Sequence, residues 1–223
     1  MKRTRSLRFL ALFLAMLTVI STLCTGVAFA EDDGSVSDTT ISDVKELLNA
    51  ISYGEYIKRN KDVARATESI LVNGLDYDSE NTTAEVEERE YEGVNSVYVP
   101  NTGTIAWKVN VPATAKYSVK IKCYTVEAKS VAVQRIFRIN GKVPFAEARY
   151  LSITKVWNNV YEDLNDAGRP FKTDIDNNEL RPSMVQAPEW REYEFRDIDG
   201  FYPESFEFVL EAGENLISLE SVS

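Results

Sequence analysis

Two tryptophans, Trp157 and Trp190, flank a polar stretch that carries Asp174, Asn178 and Arg181. A sugar needs an aromatic plane for its C–H face and converging amide, carboxylate or guanidinium groups for its hydroxyls. These five residues supply those types, which makes them a candidate carbohydrate or oligosaccharide site. A second reading of the same residues needs no ligand. In it both indoles enter the core, and Arg181 pairs with Asp174 to pin the stretch against a sheet. Asp174, Asp176 and Asn178 also alternate as the first half of a calcium loop does. Glu179 stands where the sharp turn wants glycine and Val185 where a bidentate Glu is needed, so an EF-hand fails. An irregular oxygen-ligand site for a structural Ca²⁺ stays open, and no other cofactor is expected.

Several chemistries are excluded or unsupported. The chain has no His, which removes Ser-His-Asp and Cys-His catalysis and His-ligated zinc or copper. Glycoside hydrolysis needs only two carboxylates about 5–10 Å apart. With 35 acidic residues, such pairs arise without meaning. No nucleophile motif is present, and the expectation is a non-catalytic protein. Trp107 lies on a regular apolar face and reads as core.

The elements that hold these residues begin with a segment that settles the compartment. Lys2, Arg3, Arg5 and Arg8 precede an apolar run from Phe9 to Ala30 that ends Ala28-Phe29-Ala30. This is the order of a secretory signal peptide, residues 1–30. A retained anchor is the alternative, because the run nears the ~20 residues that span a bilayer. Thr18, Ser21, Thr22, Thr25 and Gly26 weaken its second half as a span. Ser21-Thr22-Leu23 does not make a lipobox for Cys24. The expected location is extracellular, either secreted or cell-surface associated.

Removal of 30 residues from the 223 leaves 193, with 21 basic residues against 35 acidic, a formal charge of −14. That excess repels phosphate backbones and anionic lipid, so no nucleic-acid partner is expected. Cys123 is then the one remaining cysteine, and no intramolecular disulfide can form. It shares a face with Tyr117, Val119 and Ile121 and reads as an inert core thiol.

Residues 31–39 are acidic and Ser/Thr-rich, a disordered leader. Residues 40–66 read as a short helical segment. Thr40 with Asp43 starts one helix, with Ile41, Val44, Leu47, Leu48 and Ile51 on one face. Ser52 with Glu55 starts a second, broken from the first near Gly54. Residues 67–223 then take a period of two. Ile105, Trp107, Val109 and Val111 alternate with polar neighbours until Pro112 ends the strand. Tyr117, Val119, Ile121 and Cys123 alternate likewise, so the two runs are expected to pair as a hairpin with one dry face. Val131 to Ile139 is a strand closed by Asn140-Gly141, a strong hairpin-turn signal. Further strands are expected at Leu151 to Trp157, Trp190 to Phe195, Phe206 to Leu210 and Leu216 to Leu219. The sum is an all-β fold, an antiparallel β-sandwich with one or two short N-terminal helices. Between the tryptophans the pattern lapses. Asn158 to Met184, which also holds Asp163 and Asp166, is long enough to be either functional or disordered.

Trp107-x-Val109-x-Val111-Pro112 followed by Tyr117-x-Val119-x-Ile121 resembles the hairpin of galactose-binding-like jelly-roll sandwiches. Phe137-x-Ile139-Asn140-Gly141 and Leu210-x-Ala212-Gly213-x-Asn215-x-Ile217-x-Leu219 resemble later strands of that fold. More narrowly, the order resembles the N-terminal module of extracellular solute-binding proteins of carbohydrate ABC transporters in Gram-positive bacteria. That narrower likeness rests on Ser52-Tyr53-Gly54-Glu55-Tyr56, Pro144-Phe145-x-Glu147-Ala148, Trp157, and Asp174-x-x-x-Asn178-x-x-Arg181-Pro182 before Trp190. It covers about Ser52 to Ser221. Lys116 stands where a glycine usually precedes the tyrosine, and Asn177-Asn178 replaces a Gly-Asn pair. The resemblance implies a jelly-roll fold and partners in a C-terminal solute-binding domain and an ABC permease. It also implies that the chain is the front part of a longer protein, with a free-standing module as the alternative. Opposed to glycan capture is a purely structural docking module. Its mark would be an exposed apolar surface that includes Ile41, Val44, Leu47 and Leu48.

Overall fold

A computed structural model describes residues 50–160 and 171–222. All of the described residues belong to one compact unit. The signal peptide, the leader and the helix expected over Ile41 to Leu48 lie outside the described residues, as do Asp163 and Asp166.

The first described element is helix α1 (Tyr53–Arg59). Ser52 caps it, its Oγ accepting from the Glu55 N–H at 3.3 Å, as the Ser-x-x-Glu pattern requires. The expected break near Gly54 is corrected, because Gly54 lies inside the helix and residues 50–52 are non-helical. A Cβ on Gly54 would come within 2.8 Å of Tyr202 Oη, so packing rather than helix breaking explains the glycine. Its N–H donates to that hydroxyl at 3.2 Å.

Two antiparallel layers follow. One is a four-stranded sheet of β3 (Thr104–Val111), β12 (Gly213–Ser221), β6 (Val133–Ile139) and β7 (Leu151–Ile153), in that spatial order. The register sets Ile105 opposite Leu219, and Leu219 opposite Phe137, so one apolar row crosses three strands. The other layer pairs β4 (Ala115–Ser118) with β11 (Glu207–Leu210), and β5 (Lys120–Tyr124) with β10 (Trp190–Glu194). The Phe195 N–H donates to Val119 C=O, and the Phe206 N–H to Phe195 C=O. The chain from 190 to 210 thus tracks residues 115–124, with residues 197–204 looped out.

The layers meet over an aromatic core. Phe137, Phe145, Phe206 and Phe208 are at most 1% exposed. Phe137 of the first layer lies 4.5 Å from Phe208 and 5.4 Å from Phe195 of the second, centroid to centroid. Each buried Phe contributes about 1.5–3 kcal/mol by leaving water, and the tilted ring pairs add to that. Trp107 is half-buried against this cluster, its Nε1 donating to Gly74 C=O at 3.1 Å. It is the core residue that its parity indicated.

The expected hairpin of β3 with the Tyr117 run is also corrected. β3 pairs with β12, and β4 pairs with β11. The chain crosses between layers at Pro112 to Thr114. Both runs turn a dry face to one core, but from opposite sides. Alternation fixes which face is buried and leaves the hydrogen-bonding partner open. The run from Leu151 to Trp157 divides into β7 and β8 (Trp157–Asn159). Asn140 and Gly141 take φ of 52° and 76°, and Ile139 and Lys142 exchange both backbone hydrogen bonds around them.

A hairpin that the sequence reading passed over joins β1 (Glu87–Tyr91) to β2 (Val94–Tyr98). Glu92 and Gly93 turn it with φ of 54° and 79°. A second small ribbon pairs β8 with β9 (Met184–Gln186) and forms the root of the polar stretch between the two tryptophans.

Candidate functional site

The β5–β10 pair has one dry face and one wet one. Ile121 and Cys123 point inward with Tyr193 of β10. Lys120, Lys122 and Tyr124 point outward, opposite Glu194, Glu192 and Trp190. Cross-strand charge pairs dominate the outward row until its last position, where an aromatic pair replaces them. Lys120 Nζ lies 2.6 Å from Glu194. Lys120 first, then Ser205 Oγ and Arg196, draw the Glu194 carboxyl down to about 2. Lys122 and Glu192 are both exposed.

At the end of this row the rings of Tyr124 and Trp190 lie 5.6 Å apart, tilted by 59°. The β1–β2 hairpin brings a third ring. Tyr91 stacks on Tyr124 at 4.8 Å and 17°, and its carbonyl accepts from Trp190 Nε1 at 3.1 Å. Behind it, the Arg89 guanidinium lies 3.7 Å over the Tyr98 ring. Arg89 also donates to Tyr91 Oη at 3.4 Å and to Glu87 at 2.7 Å. Those bonds, Tyr91 first, raise its pKa further above the ordinary arginine value. Lys122 Nζ stands 5.9 Å from the centre of the Trp190 ring. Tyr91, Tyr124 and Trp190 are half-buried, and all three lie outside the apolar core clusters. The assembly is an indole held through its N–H, with an exposed ammonium over its face and the exposed Glu192 carboxylate on the same row. Those are the group types a sugar ring engages.

The structure places each candidate residue as follows. Trp190 belongs to the aromatic assembly just described. Trp157 is half-buried on β8, opposite Gln186. Among the described residues no ring contact joins the two tryptophans, and their strands belong to separate two-stranded pairs. Gln186 holds that root, donating to Ala128 C=O at 2.6 Å and accepting from Lys155 Nζ at 3.0 Å. Tyr193 Oη ties β10 to Thr154 C=O at 2.6 Å.

Asp174 and Asn178 meet each other. Asp174 Oδ1 accepts from the backbone N–H groups of Asp176 (2.9 Å) and Asn178 (2.8 Å), and its Oδ2 accepts from Asn178 Nδ2 at 3.0 Å. The Asn178 amide, then its backbone N–H, hold the Asp174 carboxyl below the usual carboxylate range. Asn177 at φ 64° completes this closed turn. Arg181 is exposed and donates to Met184 Sδ at 3.5 Å. The cross-link of Arg181 to Asp174 therefore gives way to an Asp174–Asn178 clamp. For a cation, the Asn178 amide presents its NH₂ to Asp174, so this turn is held by donors rather than arranged as ligands. Among the described residues no cluster of three or more His, Cys, Asp or Glu could hold a metal.

Cys123 is half-buried on the inward row, and burial pushes its thiol up to about 11. The sequence reading missed Tyr91, Tyr124, Lys122 and Glu192. A signal was present, since Tyr124 shares the parity of Lys120 and Lys122, and Trp190 that of Glu192 and Glu194. An aromatic residue on the charged parity of a strand faces away from the core.

A comparison with protein-family models finds no match, and no curated protein matches the sequence. Among solved structures, the chain is similar to the native structure of a family 35 carbohydrate binding module from Clostridium thermocellum. That similarity has 15% identity and a TM-score of 0.39, and it covers 69% of this chain and 86% of that one.

Proposed function

We propose that this protein is an extracellular, non-catalytic module that binds glycan on the outward aromatic end of β5–β10. The observation that carries the reading is Trp190, seated opposite Tyr124 on a face whose other members are charged. A sugar ring lies against the indole, displaces the Lys122 ammonium and takes hydrogen bonds from it. Glu192 accepts from a neighbouring hydroxyl. The finer assignment, the front part of a carbohydrate ABC-transporter solute-binding protein, rests on the order of motifs from Ser52 to Trp190. In that setting a C-terminal solute-binding domain and a permease are the partners, and the module helps capture oligosaccharides beside the transporter.

A broad glycan array probed with the chain from Glu31 onward tests the reading. Binding to at least one oligosaccharide class that Tyr124→Ala weakens is the expected result. Silence across the array would sink it.

One observation favours docking onto a larger protein instead. Phe201 is 81% and Ile198 52% exposed on the loop between β10 and β11. Asp197 holds that loop, its Oδ2 accepting from the Phe201 N–H at 2.7 Å and the Tyr202 N–H at 3.2 Å. Under this reading the isolated chain self-associates or aggregates, and Phe201→Ser restores a monomer. A chain that is monomeric and cooperatively folded from the outset removes its support.

A further inference from the structure

Among the described residues, strand β11 pairs with a strand, β4, on one side only, and an unpaired strand edge invites another strand to add to it. Alternation points the Phe208 and Leu210 amides at β4 and the Glu207 and Val209 amides outward. Helix α1 meets those two outward donors one for one. Tyr53 Oη accepts from the Glu207 N–H at 3.0 Å, and Tyr56 Oη accepts from the Val209 N–H at 2.8 Å. The spacing is what makes the match. Tyr53 and Tyr56 are three apart on one helix face, and the outward amides of a strand recur every two residues, about 7 Å. The rings themselves are anchored. Tyr53 packs at 4.9 Å on Phe145 and 4.7 Å on Phe206, and Tyr56 at 5.1 Å on Phe145. The Tyr53 N–H donates to Glu147 at 2.9 Å, and Gly54 admits Tyr202.

We propose that Tyr53 and Tyr56 form an edge guard, whose two hydroxyls close β11 against antiparallel pairing with a second copy of this chain. A second copy is the occupant excluded because β11 laid antiparallel on itself makes a closed two-fold interface. In such a pairing the same Glu207 and Val209 donors would meet carbonyls of the partner strand. This inference is independent of any glycan site, which lies on the β5–β10 end of the same layer.

Amide hydrogen exchange and sedimentation on Tyr53→Phe/Tyr56→Phe and on the milder Tyr56→Phe test it. The double variant should exchange about fivefold or more faster at Glu207 and Val209, the scale of one lost hydrogen bond each. Phe208 and Leu210 should keep their protection. The double variant should also form a dimer whose fraction rises with concentration. Tyr56→Phe should speed Val209 alone. Equal acceleration at all four amides would mean general destabilisation and overturn the proposal. Unchanged exchange, or a monomer at every concentration, would overturn it too.

Discussion

Asn215 is fully buried at 0% exposure in the Ala212-Gly213-x-Asn215 turn, and it uses all of its hydrogen-bonding capacity. Its Nδ2 donates to Glu211 C=O at 2.7 Å and Gly213 C=O at 3.1 Å. Its Oδ1 accepts from the Glu211 N–H at 3.2 Å and from Asn140 Nδ2 at 3.3 Å. Asn140 in turn accepts the Leu216 N–H at 2.8 Å, so the side chain links two turns. Asn215→Leu keeps the volume and removes all four bonds. At about 1 kcal/mol each, less what water restores at exposed Glu211, the expected loss is roughly 2–4 kcal/mol. For a domain of this size that lowers Tm by about 5–15 °C. The assay is urea and thermal unfolding beside Asn110→Ala, an exposed asparagine on β3 that should shift by less than about 0.5 kcal/mol. An Asn215→Leu variant as stable as the native chain would refute the reasoning.

Gly103 has φ 81°, and an added Cβ would lie 2.7 Å from the backbone of Ala84. Gly103→Ala should therefore destabilise well beyond the ~1–2 kcal/mol of a left-handed alanine, while Gly93→Ala, with φ 79° and open space, should cost only about that much. Comparing the two unfolding midpoints checks this. With its thiol pushed up to about 11 by burial, Cys123 should react slowly with a thiol reagent at pH 8 and quickly in urea. The native state holds this proton more tightly than the unfolded chain, so stability should fall as pH rises from about 9 to 11, and Cys123→Ser should flatten that slope. Glu194, held at about 2 chiefly by Lys120, stabilises the fold above the ordinary glutamate range, and that contribution should fade as pH falls from about 4.5 to 2. Carbon-detected NMR titration should show its midpoint rising toward 4.5 in Lys120→Ala.

Local chemistry was the legible part of the sequence. The Ser52 cap, the Asn140-Gly141 turn, the strand ended by Pro112 and the dry parity of Trp107 all depend on neighbours within a few residues. The partners of β3 and β4 were not legible. Both strands alternate in the same way, and the choice between pairing and facing is made across the core by Phe137, Phe195 and Phe208. The Glu92-Gly93 hairpin escaped because Glu is an uncommon first residue for a left-handed turn. With it went Tyr91, the ring that completes the aromatic assembly. Trp190 was singled out for its chemistry, but its neighbours come from Tyr124 and Tyr91, which lie 66 and 99 positions away in the chain. The Asp174–Asn178 contact is not legible because alternation of oxygen side chains looks alike in a calcium loop and in a self-closed turn.

The most direct test of the central claim is calorimetric titration of an array-selected oligosaccharide into the native chain and into Trp190→Ala. A saturable isotherm in the native chain, weakened at least about tenfold in Trp190→Ala with unfolding midpoints matched, is the result expected of the outward indole. Equal affinity in the two proteins would contradict the account by placing the sugar elsewhere.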